Sequence, residues 1–384
     1  MIYLDNAATS WPKPEAVYRA MDDFMRHTGA NPGRSGHGLS IEAGRTVYET
    51  RESLATLFAI DDPTRIIFTS NATEAMNLVI KGLLQPGDHV ITSSLEHNSV
   101  MRPLRAVEQR GVEVTVVKCS PEGILHPPHM EQAIRSNTRL VALNHASNVV
   151  GALLPVAEVG LIARRRGVPF LVDAAQTAGC CPIDVEGMNI DLLAFSGHKG
   201  LYGPQGTGGL YIRKGIESSI EPLKHGGTGS RSEFEYQPDF LPDKYESGTP
   251  NTVGLAGLGA GVRFVLDQGG SIRKKEQELT SALLDGLRGM AGVVVHGDDE
   301  AASRVSVISF DISGLTPSEV AVQLEDEHDI LCRPGLHCAP AAHRTLGTFP
   351  QGTVRLSPGY FTSEEDIEKT LEAVSRIAAN QARC

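Results

Sequence analysis

Asp191-Leu192-Leu193-Ala194-Phe195-Ser196-Gly197-His198-Lys199 is the stretch around which the rest of the chain is arranged. Its apolar run predicts a buried strand, and small polar residues follow where that strand ends. Lys199 therefore comes shortly after a buried strand, between a histidine and a glycine. Burial favours the neutral amine that Schiff-base chemistry requires. For this stretch taken alone, a solvated lysine in a loop remains the alternative.

A second strand end supplies a carboxylate. The apolar run 168–172 predicts another buried strand, and Asp173 follows it directly. An acid at one strand end and a lysine at another are the equipment of a pyridoxal 5'-phosphate enzyme. In such enzymes the lysine holds the cofactor as a Schiff base and the acid pairs with the pyridinium nitrogen. Together, Asp173 and Lys199 favour this cofactor over the solvated-lysine interpretation.

Composition sets broad limits on function. With 384 residues, 41% hydrophobic and 21% charged, the chain has the profile of a soluble globular enzyme. A net charge of -11 without a long basic run argues against nucleic acid as a partner. No apolar run is long enough to span a bilayer, and the N-terminus lacks the pattern of a signal peptide.

The six cysteines, at positions 119, 180, 181, 332, 338 and 384, are irregularly spaced and form no CxxC pair. This spacing argues against a disulfide framework or a zinc knuckle, so we expect no metal site. Cys180 and Cys181 are interpreted as structural. The expectation is a cytoplasmic protein with reduced thiols.

Strand and helix patterns alternate along residues 65–212. Apolar strands are predicted at 65–69, 89–92, 112–117, 139–143, 170–172, 192–195 and 209–212, with amphipathic helices between most of them. This alternation predicts an α/β fold with a mainly parallel sheet covered by helices on both faces. Ligands of such sheets bind beyond the carboxyl ends of the strands. Asp173, Lys199 and the turn 70–73 lie at three such ends, so we expect one shared pocket.

The turn 70–73 opens a predicted helix. Backbone N–H groups at a helix start suit a phosphate group. An ordinary helix cap formed by Asn71 or Thr73 is the alternative, and it is preferred when the turn is taken alone. From about Asn251 the sequence pattern changes: a glycine-rich helix and a long helix are predicted, followed by short strands. This pattern indicates a second, smaller α+β domain.

The motifs, in this order, resemble the class V aminotransferases of pyridoxal phosphate fold type I, in particular cysteine desulfurases of the SufS and CsdA type. The resemblance covers nearly the whole chain. Its motifs are residues 3–9, 34–37, 72–79, 96–99, 145–151, 173–176, 196–199, 246–251 and 333–339. It implies a large cofactor domain over 15–252, and a small domain formed by 1–14 and 253–384.

The resemblance also implies roles for the pocket residues. Lys199 would form the Schiff base, and Asp173 would keep the pyridine nitrogen protonated. Gln176 would hydrogen-bond the phenolic oxygen of the cofactor, with Asn148 near that oxygen and near the substrate carboxylate. His97 would stack on the ring and relay protons. Asn148 as a turn former and His97 as a partly buried polar residue are the structural alternatives.

The cofactor phosphate, by the same resemblance, would be held by residues from two subunits. Ala72 and Thr73 at the helix start would bind it together with Ser196 and His198. Thr249 would reach it from the second subunit of a homodimer.

Cys338 decides the predicted activity. It lies in a Pro/Gly-rich loop beside His337 and near Arg333, surroundings that favour a nucleophilic thiolate. A small buried hydrophobe is the usual alternative for a cysteine. The loop resembles the segment that forms a persulfide in the family. Arg355 resembles the arginine that binds the substrate carboxylate, for which a bidentate guanidinium is suited.

The resemblance implies that L-cysteine, or L-selenocysteine, is the substrate, and that an acceptor protein takes the sulfur, as in iron–sulfur cluster assembly. Leu336 replaces the family's usual histidine, and residues 224–230 and 341–348 depart from the better-known desulfurases. These departures leave open a selenocysteine lyase, a β-lyase or a transaminase. A catalytically idle scaffold that only binds the cofactor would not require the complete set of Asp173, Lys199 and Cys338. A sulfur carrier without the cofactor would leave Asp173 and Lys199 unexplained.

Overall fold

The computed structural model describes residues 1–33, 36–298 and 300–381. Arg34 and Ser35, which belong to one of the family-like motifs, and Cys384 lie outside the described residues. The strands are β1 (Ile2–Tyr3), β2 (Ile66–Thr69), β3 (His89–Ser93), β4 (Glu113–Val117), β5 (Thr138–Asn144), β6 (Phe170–Asp173), β7 (Leu192–Ser196), β8 (Gly208–Ile212), β9 (Val293–His296), β10 (Ile308–Ile312), β11 (Ile330–Leu331), β12 (Arg333–Gly335) and β13 (Thr353–Leu356). The α-helices are α1 (Glu15–Asp23), α2 (Gly38–Leu57), α3 (Ala72–Leu83), α4 (Asn98–Glu108), α5 (Pro127–Ala133), α6 (Val156–Arg166), α7 (Thr252–Gln268), α8 (Ser271–Arg288), α9 (Pro317–His328), α10 (Pro340–Leu346) and α11 (Glu364–Gln381).

The large sheet has the strand order β2-β8-β7-β6-β5-β3-β4. The five strands from β7 to β4 are parallel, and β8 is antiparallel to both β7 and β2. Consequently β2 runs in the same direction as β7, and the carboxyl ends of β2, β6 and β7 lie at one edge. The predicted mainly parallel sheet is confirmed.

Helices cover this sheet on both faces, as predicted. Successive residues of β7 alternate between two cores: Leu193 and Phe195 pack with α2, α6 and α7, whereas Leu192 and Ala194 pack with α3 and α4. All four side chains are fully buried. A strand buried on both faces must be apolar at every position, which explains the continuous apolar run in the sequence.

The second part of the molecule is built on the antiparallel sheet β12-β13-β10-β9. Helices α8, α9 and α11 pack against it in one apolar core that also contains Ile2 and Leu4. The short strand β1 pairs in parallel with β11. The predicted second α+β layer is present, while the boundaries 1–14, 15–252 and 253–384 remain predictions. Helix α7 packs against α1 and α2.

The turn after β7 leaves no room for larger residues. A Cβ on Gly197 would collide with the side chain of Thr207, and a Cβ on Gly200 would lie 2.5 Å from the carbonyl oxygen of Ala178. Both glycines flank the segment that carries Lys199, so close backbone packing fixes where this side chain emerges. Among the described residues, no helix combines the length and apolarity needed to cross a membrane.

Candidate active site

A cavity of about 410 Å³ opens at the edge of the large sheet where β2, β6 and β7 end. Eight of the residues predicted for the site line it: Ala72, Thr73, His97, Asn148, Asp173, Gln176, Ser196 and Lys199. Ser99, Asn144, Ala146 and Ala175 complete the lining. The shared pocket expected from the strand ends is therefore present.

Asp173 is the last residue of β6 and is buried at the floor of this cavity. Its Oδ1 accepts a hydrogen bond from the Ala175 backbone N–H at 2.9 Å, and its Oδ2 accepts one from the Ser99 hydroxyl at 3.2 Å. Burial raises the pKa of Asp173, and the two hydrogen bonds and the Lys199 charge oppose that increase. The carboxylate is thus oriented through both of its oxygens.

His97 caps the N-terminus of α4 and faces the same cavity. Its Nδ1 accepts the Ser99 backbone N–H at 3.0 Å and lies 2.9 Å from the Ser99 hydroxyl. Burial lowers the pKa of His97 to about 4, with a further contribution from the Lys199 charge. Since Nδ1 is an acceptor in the neutral ring, we assign the ring proton to Nε2.

Lys199 is half-buried, three residues beyond the end of β7. Burial lowers the pKa of its amine from 10.5 to about 8, although the Asp173 carboxylate acts in the opposite direction. At neutral pH a larger fraction of this amine is therefore neutral than in an ordinary lysine. This is the form required of a lysine that reacts with a carbonyl group.

Helix α3 begins at Ala72, and its N-terminus faces the cavity. The Ala72 N–H donates to the hydroxyl of Ser196 at 3.2 Å, which joins the ends of β2 and β7. Asn71 caps the helix by accepting the Glu74 N–H at 2.9 Å, so the predicted ordinary helix cap is present. The same helix start also lines the cavity, with Ala72 and Thr73. His198 is absent from this lining; its ring Nδ1 is buried without a hydrogen-bond partner among the described residues.

Arg355, on β13, is fully buried and lies behind Asn148. Its Nη1 donates to the Asn148 carbonyl oxygen at 3.0 Å, and its Nη2 binds Asp5 Oδ1 at 2.7 Å. Burial lowers the pKa of Arg355. Sequence reasoning gave Asp5 no role. Its carboxylate is bound to one of the two Arg355 nitrogens that are proposed to bind the substrate carboxylate.

Cys338 lies outside the cavity lining, in the loop after β12, with its side chain exposed. The guanidinium Nη2 of Arg333 is 3.8 Å from its Sγ. The Cys338 carbonyl accepts the Asn98 N–H at 2.8 Å, next to His97 in the chain. The Asn148 side chain donates to the His337 carbonyl at 2.7 Å. The loop is thus attached to two segments that form the cavity wall.

Thr249 does not reach the Lys199 cavity of its own chain. It is exposed and lines a separate cavity of about 710 Å³ with Ser70, Glu74 and Lys224, among others. Glu246 anchors this segment by accepting the Phe68 N–H at 2.6 Å and pairing with the buried Arg51.

Two residues of the site were missed by sequence reasoning: Asp5 and Ser99. Asp5 and Ser99 lay within quoted motifs, but their partners, Arg355 and Asp173, are 350 and 74 positions away. A polar residue near a motif was the available signal, and only the fold identifies the partner.

Comparison with known proteins gives concordant matches. The family model described as aminotransferase class V matches residues 2–370. A probable cysteine desulfurase from Methanothermobacter thermautotrophicus is 37% identical over 382 residues, which cover 98% of this chain and 94% of that protein. The apo structure of a cysteine desulfurase from Thermococcus onnurineus superimposes with a TM-score of 0.93 at 36% identity, covering 99% of this chain and 95% of the other. The Escherichia coli cysteine desulfurase CsdA, in an S-sulfonic acid form, gives a TM-score of 0.87 at 30% identity and covers 98% and 94%.

Proposed function

The chain belongs to the class V aminotransferase family, and from this premise we propose that it is a pyridoxal 5'-phosphate-dependent cysteine desulfurase. The observation that carries the proposal is the pairing of two sites. A cavity with a lysine of lowered pKa and a buried carboxylate lies next to a loop that exposes a thiol. Hydrogen bonds from Asn148 and Asn98 tie the loop to the cavity wall.

The donor set of the cavity fits the cofactor. Asp173 offers an oriented carboxylate for a ring nitrogen, Lys199 offers an amine for an aldehyde, and the α3 start with Ser196 offers N–H and hydroxyl groups for a phosphate. Asn148 uses one amide N–H on the His337 carbonyl and has a second to offer, and its Oδ1 is buried without a partner among the described residues. Gln176 uses one amide N–H on the Ala7 carbonyl and has a second to offer.

When bound, pyridoxal phosphate supplies an electron sink for the charge that develops at the substrate Cα. Asp173 would strengthen that sink by keeping the ring nitrogen protonated. Lys199 would hold the cofactor, and its neutral Nζ would accept the Cα proton of the substrate. His97 lines the cavity and would lie against the cofactor, with the proton on its Nε2 available as a donor. Arg355 and Asn148 orient the substrate carboxylate, which competes with Asp5 for the guanidinium.

Cys338 performs the sulfur transfer. Its thiolate attacks the substrate sulfur, and the carbon–sulfur bond breaks with its electron pair remaining on the substrate carbon. That carbon takes up a proton, L-alanine is released, and Cys338 carries the sulfur as a persulfide. The guanidinium Nη2 of Arg333 donates toward the Cys338 sulfur from 3.8 Å. An acceptor protein would then remove the sulfur from the exposed loop.

A homodimer completes this proposal. Thr249 is exposed and lines a different cavity from Lys199, so we propose that it serves the phosphate of the second subunit's site. Light scattering at assay concentration should give a dimer. Full activity in a monomeric preparation would contradict the shared site.

The variant Cys338→Ala tests the activity. Loss of the nucleophile should reduce alanine release from L-cysteine by at least about 10³-fold. The variant should keep its visible cofactor absorbance, because Lys199 and Asp173 are untouched. Cys332→Ala is the matched control in the same segment: burial raises the pKa of Cys332 to about 12, so its thiolate is scarce and the parent rate should persist.

A parent rate in Cys338→Ala would show that Cys338 is not the sulfur acceptor, and the chain would then be a lyase or a transaminase. L-Selenocysteine should be assayed in parallel. Selenium leaves more readily than sulfur, so selenide release that survives in Cys338→Ala while sulfide release is lost would indicate a selenocysteine lyase side activity at the same site.

A further inference from the structure

The loop that carries Cys338 has a backbone conformation unusual for side-chain-bearing residues. His337 and Cys338 have consecutive φ angles of +49° and +56°. Both fall in the left-handed region, where a residue with a Cβ is disfavoured and persists only if its surroundings hold it. The feature to explain is what holds this turn.

A backbone hydrogen bond closes the turn, since the Ala339 N–H donates to the Leu336 carbonyl oxygen at 2.8 Å. The carbonyl of His337 accepts from Asn148 at 2.7 Å, and the carbonyl of Cys338 accepts from the Asn98 N–H at 2.8 Å. Both contacts fix the loop toward the cavity. The His337 ring is buried while the neighbouring thiol is exposed, so its side-chain contacts add to these backbone contacts.

A chain of hydrogen bonds fixes that ring. His337 Nε2 lies 2.9 Å from the Arg333 carbonyl oxygen, so it must be the protonated nitrogen that donates. His337 Nδ1 then has a lone pair and accepts from His343 Nε2 at 3.3 Å. It follows that His343 Nδ1 also has a lone pair, and the Thr348 hydroxyl donates to it at 2.7 Å. Each tautomer is determined by the next residue.

We propose that His343 and Thr348 are positioning residues for Cys338. They hold His337 in the tautomer that donates to the Arg333 carbonyl, and so keep the left-handed turn and the Arg333 guanidinium in place beside the thiol. This inference rests on the proposed role of Cys338 as the nucleophile. Neither residue belongs to a motif that carried the family resemblance.

The pair acts through geometry and not by exchanging protons with the substrate. Burial lowers the pKa of His337 to about 2 and that of His343 to about 4, so both rings are neutral during turnover. The titratable groups near His343 are His296 and Asp311, which lie 2.7 Å apart and have opposing effects on the pKa of His343. Helix α10 carries His343, and Thr345 attaches this helix to the Ser94 hydroxyl at 2.9 Å.

Three variants of the holoenzyme test the inference. His343→Leu removes the donor to His337 while keeping a buried side chain of similar reach. His343→Gln keeps an amide N–H near the position of Nε2 and serves as the conservative rescue. Thr348→Val removes only the hydroxyl that fixes the His343 tautomer. The measurements are kcat and KM for L-cysteine, the melting temperature, and the rate at which iodoacetamide alkylates Cys338, followed by peptide mapping.

His343→Leu should lower kcat by about 10- to 100-fold, because small misplacements of a reacting group have effects of this size. KM should change by less than about 2-fold, since the cavity that binds the substrate is intact. Cys338 alkylation should slow by about 3-fold or more as Arg333 loses its fixed position. His343→Gln should recover most of kcat, and Thr348→Val should lie between this variant and the parent.

Parent values of kcat and Cys338 alkylation in His343→Leu would overturn the inference, as would equal losses in the Leu and Gln variants. If His343→Leu fails to fold, Thr348→Val and His343→Gln still test the inference. It predicts a lower kcat than the parent in Thr348→Val and a kcat close to that of the parent in His343→Gln. Failure of the proposed function looks different: Cys338→Ala would then retain the parent rate of alanine release.

Discussion

The cofactor cavity and the Cys338 loop achieve reactivity in different ways. The cavity is built from the ends of strands, and burial itself shifts its groups, lowering the pKa of Lys199 to about 8 and that of His97 to about 4. The loop exposes its thiol on a left-handed turn that a backbone hydrogen bond closes and a buried histidine pair supports. In the cavity, desolvation shifts the pKa values of the reactive groups. In the loop, backbone geometry positions the reactive thiol. Each should therefore be separable from the other by mutation.

Lys199→Ala should give the largest effect and leave the loop intact. Without the amine, borohydride should fix no cofactor to the protein, and alanine release should fall by at least about 10³-fold. Cys338 alkylation should stay within about 2-fold of the parent rate, because the contact with Arg333 is unchanged.

Lys13 provides the control for this variant. It is a second lysine whose pKa burial lowers to about 8, and its Nζ donates to the Ser10 hydroxyl and to the His198 carbonyl oxygen, both at 2.8 Å. Peptide mapping of the reduced parent protein should find the cofactor on Lys199. A cofactor on Lys13 would mean that the wrong lysine was assigned.

Asp173→Asn should reduce turnover by about 10²-fold. Asparagine fills the same space but lacks the charge that keeps a ring nitrogen protonated, so the electron sink weakens. The Ala175 N–H can still find an oxygen at this position. Steady-state assays with L-cysteine check the rate, and an absorbance titration checks cofactor affinity. An unchanged turnover would remove Asp173 from the mechanism.

Ser99→Ala tests the link between two cavity groups and should have a smaller effect. The hydroxyl donates to Asp173 and contacts His97 Nδ1. One hydrogen bond is worth about 1 kcal/mol, which corresponds to roughly 5-fold in rate. Ser99→Thr retains the hydroxyl and should behave like the parent in kcat. If both variants lose activity equally, packing at this position and not the hydrogen bond is responsible.

Strand ends make the cavity predictable from the sequence. Apolar runs end where the chain leaves the buried sheet, so the pattern alone places Asp173 and Lys199 at one edge. The family resemblance then supplies individual roles, and the fold groups eight of those residues in one cavity. Those roles remain proposals for the substitutions above to test.

Other features have no local signal in the sequence. Strands β1, β11 and β12 have only two or three residues, too few for a periodic pattern to appear. The ion pair of Asp5 with Arg355 joins residues 350 positions apart. The left-handed turn at His337 and Cys338 has no glycine to mark it. Tertiary contacts determine all of these features. A short stretch of sequence contains no information about such contacts.

The smallest expected effect is a shift in the pH dependence of cofactor attachment. It distinguishes the effect of burial on the pKa of Lys199 from the effect of the Asp173 carboxylate. The amine reacts with an aldehyde only when neutral, and neutral lysine accumulates above its pKa. Because burial lowers this pKa from 10.5 to about 8, attachment of pyridoxal phosphate to the apoprotein should accelerate up to about pH 8 and then level off. An unperturbed lysine would keep accelerating toward about pH 10.

The Asp173 carboxylate raises the pKa of Lys199 against the stronger effect of burial. Removing that charge in Asp173→Asn should lower the pKa further, so the rate should level off at a lower pH than in the parent. Stopped-flow absorbance of apoprotein mixed with the cofactor gives both profiles. A plateau that moves to higher pH in Asp173→Asn would mean that the carboxylate does not act on Lys199 as the geometry requires. A plateau near pH 10 in the parent would mean that burial does not prepare this lysine, and the contrast between the cavity and the loop would lose its physical basis.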